Sequence, residues 1–189
     1  MRYFYDCEFL EDGSTIDLIS IGIVAEDGRQ FYAVNSEAPW SRIAAHPWLM
    51  ANVVPWLPQE PTDTPQRRGR RRRLCDLDHP CVSTRSEIAD SVKSFLWAGG
   101  GPIELWAYYA AYDHVLLSQL WGTMIQRPAG IPMFTNDIQQ VAYEMGLENS
   151  LPQQTSTQHN ALDDAIWNRE AYDYLMMMKG QGGDGGSGS

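Results

Sequence analysis

Five side chains spread over most of the sequence have the types and spacing for metal-assisted acid–base chemistry: Asp6 and Glu8, Asp113, and His159 with Asp164. Asp6 and Glu8 stand two apart in RYFYDCEF, whose aromatic content favours a strand. Alternation then puts both carboxylates on one face and Cys7 on the other. Two acids side by side on a sheet face repel unless a cation lies between them, although a strand with one solvated face accounts for an isolated pair. Asp113 precedes Leu116, Leu117 and Leu120 at helical spacing and so heads an apolar stripe. An uncompensated carboxylate buried there would cost on the order of several kcal/mol. A helix N-terminus offsets part of that cost, and a divalent cation offsets more.

The last helix separates two neighbouring acids. At about 100° per residue, the stripe of Ala161, Ala165, Tyr172, Leu175 and Met176 puts Asp164 at its border and Asp163 roughly opposite, toward solvent. His159 can converge on Asp164 only from the loop ahead of that helix, where the polar run QQTSTQ leads up to it. Four acids in three segments and one imidazole are the inventory for two oxygen-ligated ions and a base. Magnesium or manganese suits a carboxylate set better than zinc, which prefers nitrogen and sulfur. A zinc-binding loop at Cys75, His79 and Cys81 is a separate reading, with only three ligands in a cramped stretch.

These groups need a scaffold that brings distant segments together. Strands RYFYDCEF, IDLISIGIV and RQFYAV, joined by the turns EDGST and EDG, read as an antiparallel meander. A helical segment with Pro punctuation, SRIAAHPWLMANVVPWL, follows, and residues 58–80 read as an exposed Arg- and Pro-rich loop. Thr84 and Glu87 form a capping box for the helix EIADSVKSFLW, which Gly99, Gly100 and Gly101 end. Then come a buried strand IELWAYY, a helix DHVLLSQLWGTM, a short strand near PMFT, a helix DIQQVAYEMGL and a last helix from about Ala161 to Met178. The expected fold class is α/β: a mixed sheet, antiparallel meander then parallel strands, flanked by helices as in ribonuclease H-like folds. Residues 1–179 make one domain, and the Gly-rich tail at 180–189 is too polar to fold.

The net charge of −10 argues against bulk electrostatic binding of a polyanion. Six of the 14 basic residues lie between Arg67 and Arg73, leaving 8 basic against 24 acidic residues elsewhere. A polyanion must therefore be met locally or through bound cations. No signal peptide or membrane-spanning stretch is evident, and three cysteines cannot pair completely, so a cytoplasmic setting is expected.

The acids and the histidine together resemble the DEDDh subgroup of the 3′-to-5′ exonuclease superfamily, which includes ribonuclease T, oligoribonuclease and proofreading exonuclease domains. Its pattern is D-x-E on the first strand, an Asp at the head of a later helix and H-x-x-x-x-D near the end. Here these are DCE from Asp6 to Glu8, AYDHVLL with Asp113, and HNALDD from His159 to Asp164. The opening RYFYDCEFLEDGSTIDLISIGIVAEDGRQFYAV looks closer still to the small actinobacterial polyadenylate-specific 3′ exoribonucleases. FLEDG departs from the wider family's short polar run ending in Gly-Leu.

The resemblance implies that Asp6 bridges two Mg²⁺ or Mn²⁺ ions, with Glu8, Asp113 and Asp164 completing their shells and His159 acting as general base. By position, Phe9 and Leu10 would pack against the last base and ribose. The implied substrate is a single-stranded 3′ end, with RNA favoured, released as nucleoside 5′-monophosphates. Phe9, Trp106, Tyr109 and Tyr112 are aromatics available to stack unpaired bases. Homodimers are common in the family, and Trp97 and Trp121 could serve an interface or the core. A 3′-to-5′ DNA exonuclease and a catalytically silent nucleic-acid-binding module on the same fold are the alternatives.

Overall fold

The computed structural model describes residues 1–61 and 73–182. Strands β1 (Arg2–Glu11), β2 (Ile16–Ala25) and β3 (Gln30–Asn35) form the expected antiparallel meander. In its first turn the Asp12 carboxylate accepts the amides of Ser14 and Thr15, while Gly13 takes φ 80°. The short β4 (Val82–Ser83) adds parallel to β3, β5 (Glu104–Ala107) parallel to β1, and β6 (Asn136–Asp137) parallel to β5. The resulting order is β4-β3-β2-β1-β5-β6. A meander whose first strand continues into parallel partners is the ribonuclease H-like arrangement anticipated from the sequence.

Helices cover both faces. Tyr3, Tyr5 and Cys7 join Ile21 and Ile23 in a core under α3 (Arg85–Trp97) and α4 (Ala111–Gln119). Phe4 and Trp106 pack on the other face with α5 (Ile138–Glu144) and α6 (Ala161–Gly182). Beside them, α1 (Trp40–Ala44), α2 (Pro47–Asn52) and a 3-10 turn at Val54–Trp56 bury Ile43, Leu49 and Val53 against Leu10, Ile19 and Val34. Because β1 and β2 are covered on both sides, they carry near-continuous apolar runs rather than strict alternation.

The segment 41–57 is helical and divided at its prolines, as expected: Pro47, which lacks the N–H to continue α1, starts α2 instead. Other boundaries differ from the sequence expectation. The strand expected near PMFT lies at Asn136–Asp137, where β5 offers a partner. α6 continues beyond Met178 to Gly182, and residues 183–189 of the expected tail lie outside the described residues. Arg67, Arg68, Arg70, Arg71 and Arg72 also lie outside them. Within the stretch expected to be an exposed loop, Cys75 is buried, with Leu74 and Leu77 packed on the same cluster. The Thr84–Glu87 capping box is present, with Glu87 Oε2 accepting the Thr84 amide at 2.8 Å.

Candidate active site

β5 pairs with β1 only through Arg2–Phe4, so the edge of β1 is open from Tyr5 onward, next to where the chain leaves β5 for α4. Loop ends beyond such parallel strands are where α/β sheets carry their sites. Asp113, in the first turn of α4, uses this opening. Its Oδ1 accepts the amide of Cys7 at 2.8 Å, a main-chain donor that no strand occupies. The start of α4 is held in turn by Asp137, the N-cap of α5, whose carboxylate also takes the Ala110 amide at 3.0 Å.

From the opposite face, α6 approaches β1 very closely. Asp6 pairs across the β1–β2 ladder with Gly22, so their side-chain positions share that face. A Cβ at Gly22 would fall on the carbonyl of Ala161 and the Cα of Leu162, so the missing side chain lets the first turn of α6 lie directly on the sheet. Asn168, one turn beyond Asp164 and fully buried, donates Nδ2 to the Tyr5 carbonyl at 2.9 Å, just ahead of Asp6. Asp164 is thereby set beside Asp6 and Glu8.

Asp6, Glu8, His159 and Asp164 line one open cleft of about 440 Å³, together with Cys7, Phe9, Glu11, His46, Trp48 and Leu49. Asp113 sits behind them, 5% exposed. His159 lies in the loop ahead of α6 in the left-handed region, φ 64°. Its amide donates to Asp164 Oδ2 at 2.9 Å, and its ring meets the edge of Trp48 with centroids 4.9 Å apart. Gln154 Nε2 donates to Asp164 Oδ1 at 2.5 Å. Asp163 is half-buried, not fully turned to solvent as the helix phase suggested, but it lines neither of the two clefts that share Asp164.

Electrostatics mark the cluster as incomplete by itself. Burial, then the neighbouring Asp164 and Asp113, push Glu8 up to about 8. Burial pushes Asp113 up to about 7 against the lowering effect of the Cys7 amide. Asp6 is raised well above the carboxylate range by burial and then by Asp113, Glu8 and Asp164. Asp164 is raised by burial, with Gln154 and the His159 amide opposing. Among the described residues, none of the four forms an ion pair with Lys or Arg. Ligand atoms of Glu8, His159 and Asp164 lie within 4.8 Å of one another. Crowded carboxylates without a cationic side chain, beside an imidazole, fit a divalent cation.

The remaining expectations fare differently. Phe9 lines the cleft, its ring stacked on Tyr112 at 5.7 Å. Leu10 does not line it: alternation returns it to the Glu8 face, where α2 covers the sheet and buries it with Leu49 and Val53. Trp106 is core, whereas Tyr109 and Tyr112 are exposed. Trp121 packs against the core, and Trp97 is half exposed. His79 Nδ1 lies 3.0 Å from Cys81 Sγ, but the ligand atoms of Cys75, His79 and Cys81 do not gather into one group among the described residues. His46, Trp48, Leu49, Glu11 and Gln154 were not singled out by the sequence reading, and His46 capping α2 just before a Pro was the one local signal available.

Comparison with known proteins places these features in context. The family profile described as the 3′-5′ exoribonuclease Rv2179c-like domain matches residues 1–176. The chain is 43% identical over 165 residues to the 3′-5′ exoribonuclease Rv2179c of Mycobacterium tuberculosis strain H37Rv, covering 87% of both proteins. The same values hold for the 3′-5′ exoribonuclease MT2234.1 of strain CDC 1551. Among solved structures, Pop2p of S. pombe in its Mg²⁺- and Mn²⁺-bound form superposes with a TM-score of 0.44 at 12% identity, covering 94% of this chain and 82% of that one.

Proposed function

Because the chain belongs to the Rv2179c-like 3′-5′ exoribonuclease family, we propose that it shortens single-stranded RNA from the 3′ end by divalent-metal-dependent hydrolysis. The observation that carries the metal dependence is the gathering of Glu8, His159 and Asp164 within 4.8 Å, with Asp6 on the same cleft and Asp113 near enough to raise Asp6 and Glu8, and with no Lys or Arg partner for the four acids among the described residues.

In this reading Asp6, Glu8, Asp113 and Asp164 would hold two Mg²⁺ or Mn²⁺ ions, which would acidify an attacking water and stabilise charge on the phosphoryl group and the departing oxygen. His159 takes the proton of the water whose oxygen bonds to phosphorus. The bond from phosphorus to the 3′ oxygen of the penultimate nucleotide breaks, leaving a nucleoside 5′-monophosphate and a shortened chain with a 3′ hydroxyl. Gln154 and the His159 amide keep Asp164 aimed inward. Phe9, Trp48 and Leu49 offer an apolar wall to the terminal base. Homodimer formation belongs to the same proposal. It is supported by apolar side chains left exposed after α4, notably Ile125 at 90% exposure, and sedimentation tests it.

A 5′-labelled RNA and a DNA of matched sequence, each incubated with Mn²⁺, provide the test. The expected result is a ladder of RNA products shortened from the 3′ end, absent with a chelator or in Asp6→Ala. Undiminished cleavage in chelator, or loss from the 5′ end, overturns the proposal. Equal inertness of the wild type and Asp6→Ala points to a binding module.

A further inference from the structure

The cleft carries a second imidazole that the hydrolysis above does not use. His46 lines it, on the segment that also supplies Trp48 and Leu49. Its Nδ1 accepts the amide of Leu49 at 3.3 Å, closing the start of α2. A ring nitrogen that accepts an amide carries no proton, so this contact fixes the neutral tautomer and leaves the proton on Nε2. Nε2 has no hydrogen-bond partner among the described residues.

The rest of the lining limits what that donor can meet. It contains no Lys or Arg, and its carboxylates, Asp6, Glu8, Glu11 and Asp164, offer acceptors. In the proposed reading the phosphate would be met by the ions on Asp6, Glu8 and Asp164, and a single uncharged N–H adds little to the hold on an anion. Phe9, Trp48 and Leu49 are apolar surface for a base. Between a base and a phosphate lies a sugar, and a neutral hydroxyl suits a single uncharged donor. The 2′ hydroxyl separates RNA from DNA at any site.

We propose that His46 is a specificity-determining residue whose Nε2–H donates to the 2′ hydroxyl of the 3′-terminal ribose. The inference rests on the exoribonuclease reading and goes beyond it, because it names the residue that distinguishes ribose from deoxyribose. A terminal 2′-deoxynucleotide leaves the donor unmatched inside the cleft, a loss felt as weaker use of that end.

The test uses two 5′-labelled RNA oligonucleotides that differ only in a 2′-deoxy 3′-terminal nucleotide, with kcat/KM for release of that nucleotide from each. His46→Asn is the informative variant. Asn caps a helix well and keeps an acceptor for the Leu49 amide, but is too short to carry a donor to the imidazole Nε2 position. The wild type is expected to favour the ribose end roughly tenfold, the loss of about one hydrogen bond. His46→Asn is expected to bring that ratio close to one. Equal use of both ends by the wild type, or a ratio preserved in His46→Asn, overturns the assignment while leaving the exoribonuclease reading intact. Failure of the wild type to shorten either oligonucleotide overturns both.

Discussion

The main-chain amide of His159 donates to Oδ2 of Asp164 at 2.9 Å, so the proposed base and the proposed ligand are joined through backbone and not through the imidazole. Replacing the His159 side chain therefore leaves that strut in place. Asn tolerates the left-handed backbone at this position. His159→Asn is expected to lower kcat by about 100-fold or more, with metal affinity nearly unchanged, measured by steady-state kinetics and Mn²⁺ titration. Asp164→Asn should weaken both. If His159→Asn loses metal as severely as Asp164→Asn, the imidazole is a ligand and its role as base is wrong.

Gln154 reaches Asp164 from the loop ahead of α6 and takes the other carboxylate oxygen. Side chains that orient a metal ligand commonly matter about 10- to 100-fold in affinity or activity. Gln154→Leu is expected to weaken Mn²⁺ binding within that range while the melting temperature changes little. Unaltered Mn²⁺ affinity would show that the His159 amide orients Asp164 unaided.

pH should act on the metal-free protein in a defined direction. Glu8 is raised from its ordinary 4.5 to about 8, and Asp113 from 3.8 to about 7, so folding favours their protonated forms. Their contribution to stability is complete below the unfolded values and is lost as pH rises through the folded ones. In chelator, unfolding by urea should therefore be easier near about pH 8.5 than near about pH 5. Mn²⁺ takes the place of the protons, so it should stabilise more at the higher pH. Equal stabilisation by Mn²⁺ at both pH values counts against the carboxylate site.

Gly22 tests how tightly α6 must lie on the sheet. The atoms that a Cβ would strike, the carbonyl of Ala161 and the Cα of Leu162, are backbone and cannot rotate away. Gly22→Ala is expected to cost about 1–3 kcal/mol in denaturant unfolding and to weaken Mn²⁺ binding by displacing Asp164. A variant with wild-type stability and metal affinity would mean that the helix shifts without consequence for the site.

What was legible in the sequence follows from periodicity. A period of two puts Asp6 and Glu8 on one face of β1, and helix phase distinguishes Asp164, which lines the cleft, from Asp163, which does not. The loop placement of His159 followed from the geometric demand that it meet Asp164. Relations set by distant chain were not legible. Asp113 binds the Cys7 amide because β5 stops pairing at Phe4, and no local pattern announces where a neighbouring strand ends. His46 and Trp48 sit in a segment that reads only as Pro-punctuated helix, and its position over β1 is a matter of tertiary packing. Leu10 seemed to belong with the substrate by its distance from Glu8, yet that same spacing carried it under α2.

An exposed strand border invites another chain to add to it, because its free amides and carbonyls are ready to pair. β1 has an unpaired border beyond β5, but Tyr5 and Cys7 are buried there beneath α4, and the Cys7 amide is taken by the buried Asp113. One carboxylate thus contributes to the charged cluster and also closes the unpaired strand border inside the fold. Asp113→Ala should accordingly do more than abolish turnover: it strands the buried Cys7 amide without a partner, so the fold should loosen and light scattering on mild heating should rise earlier than for Asp164→Asn.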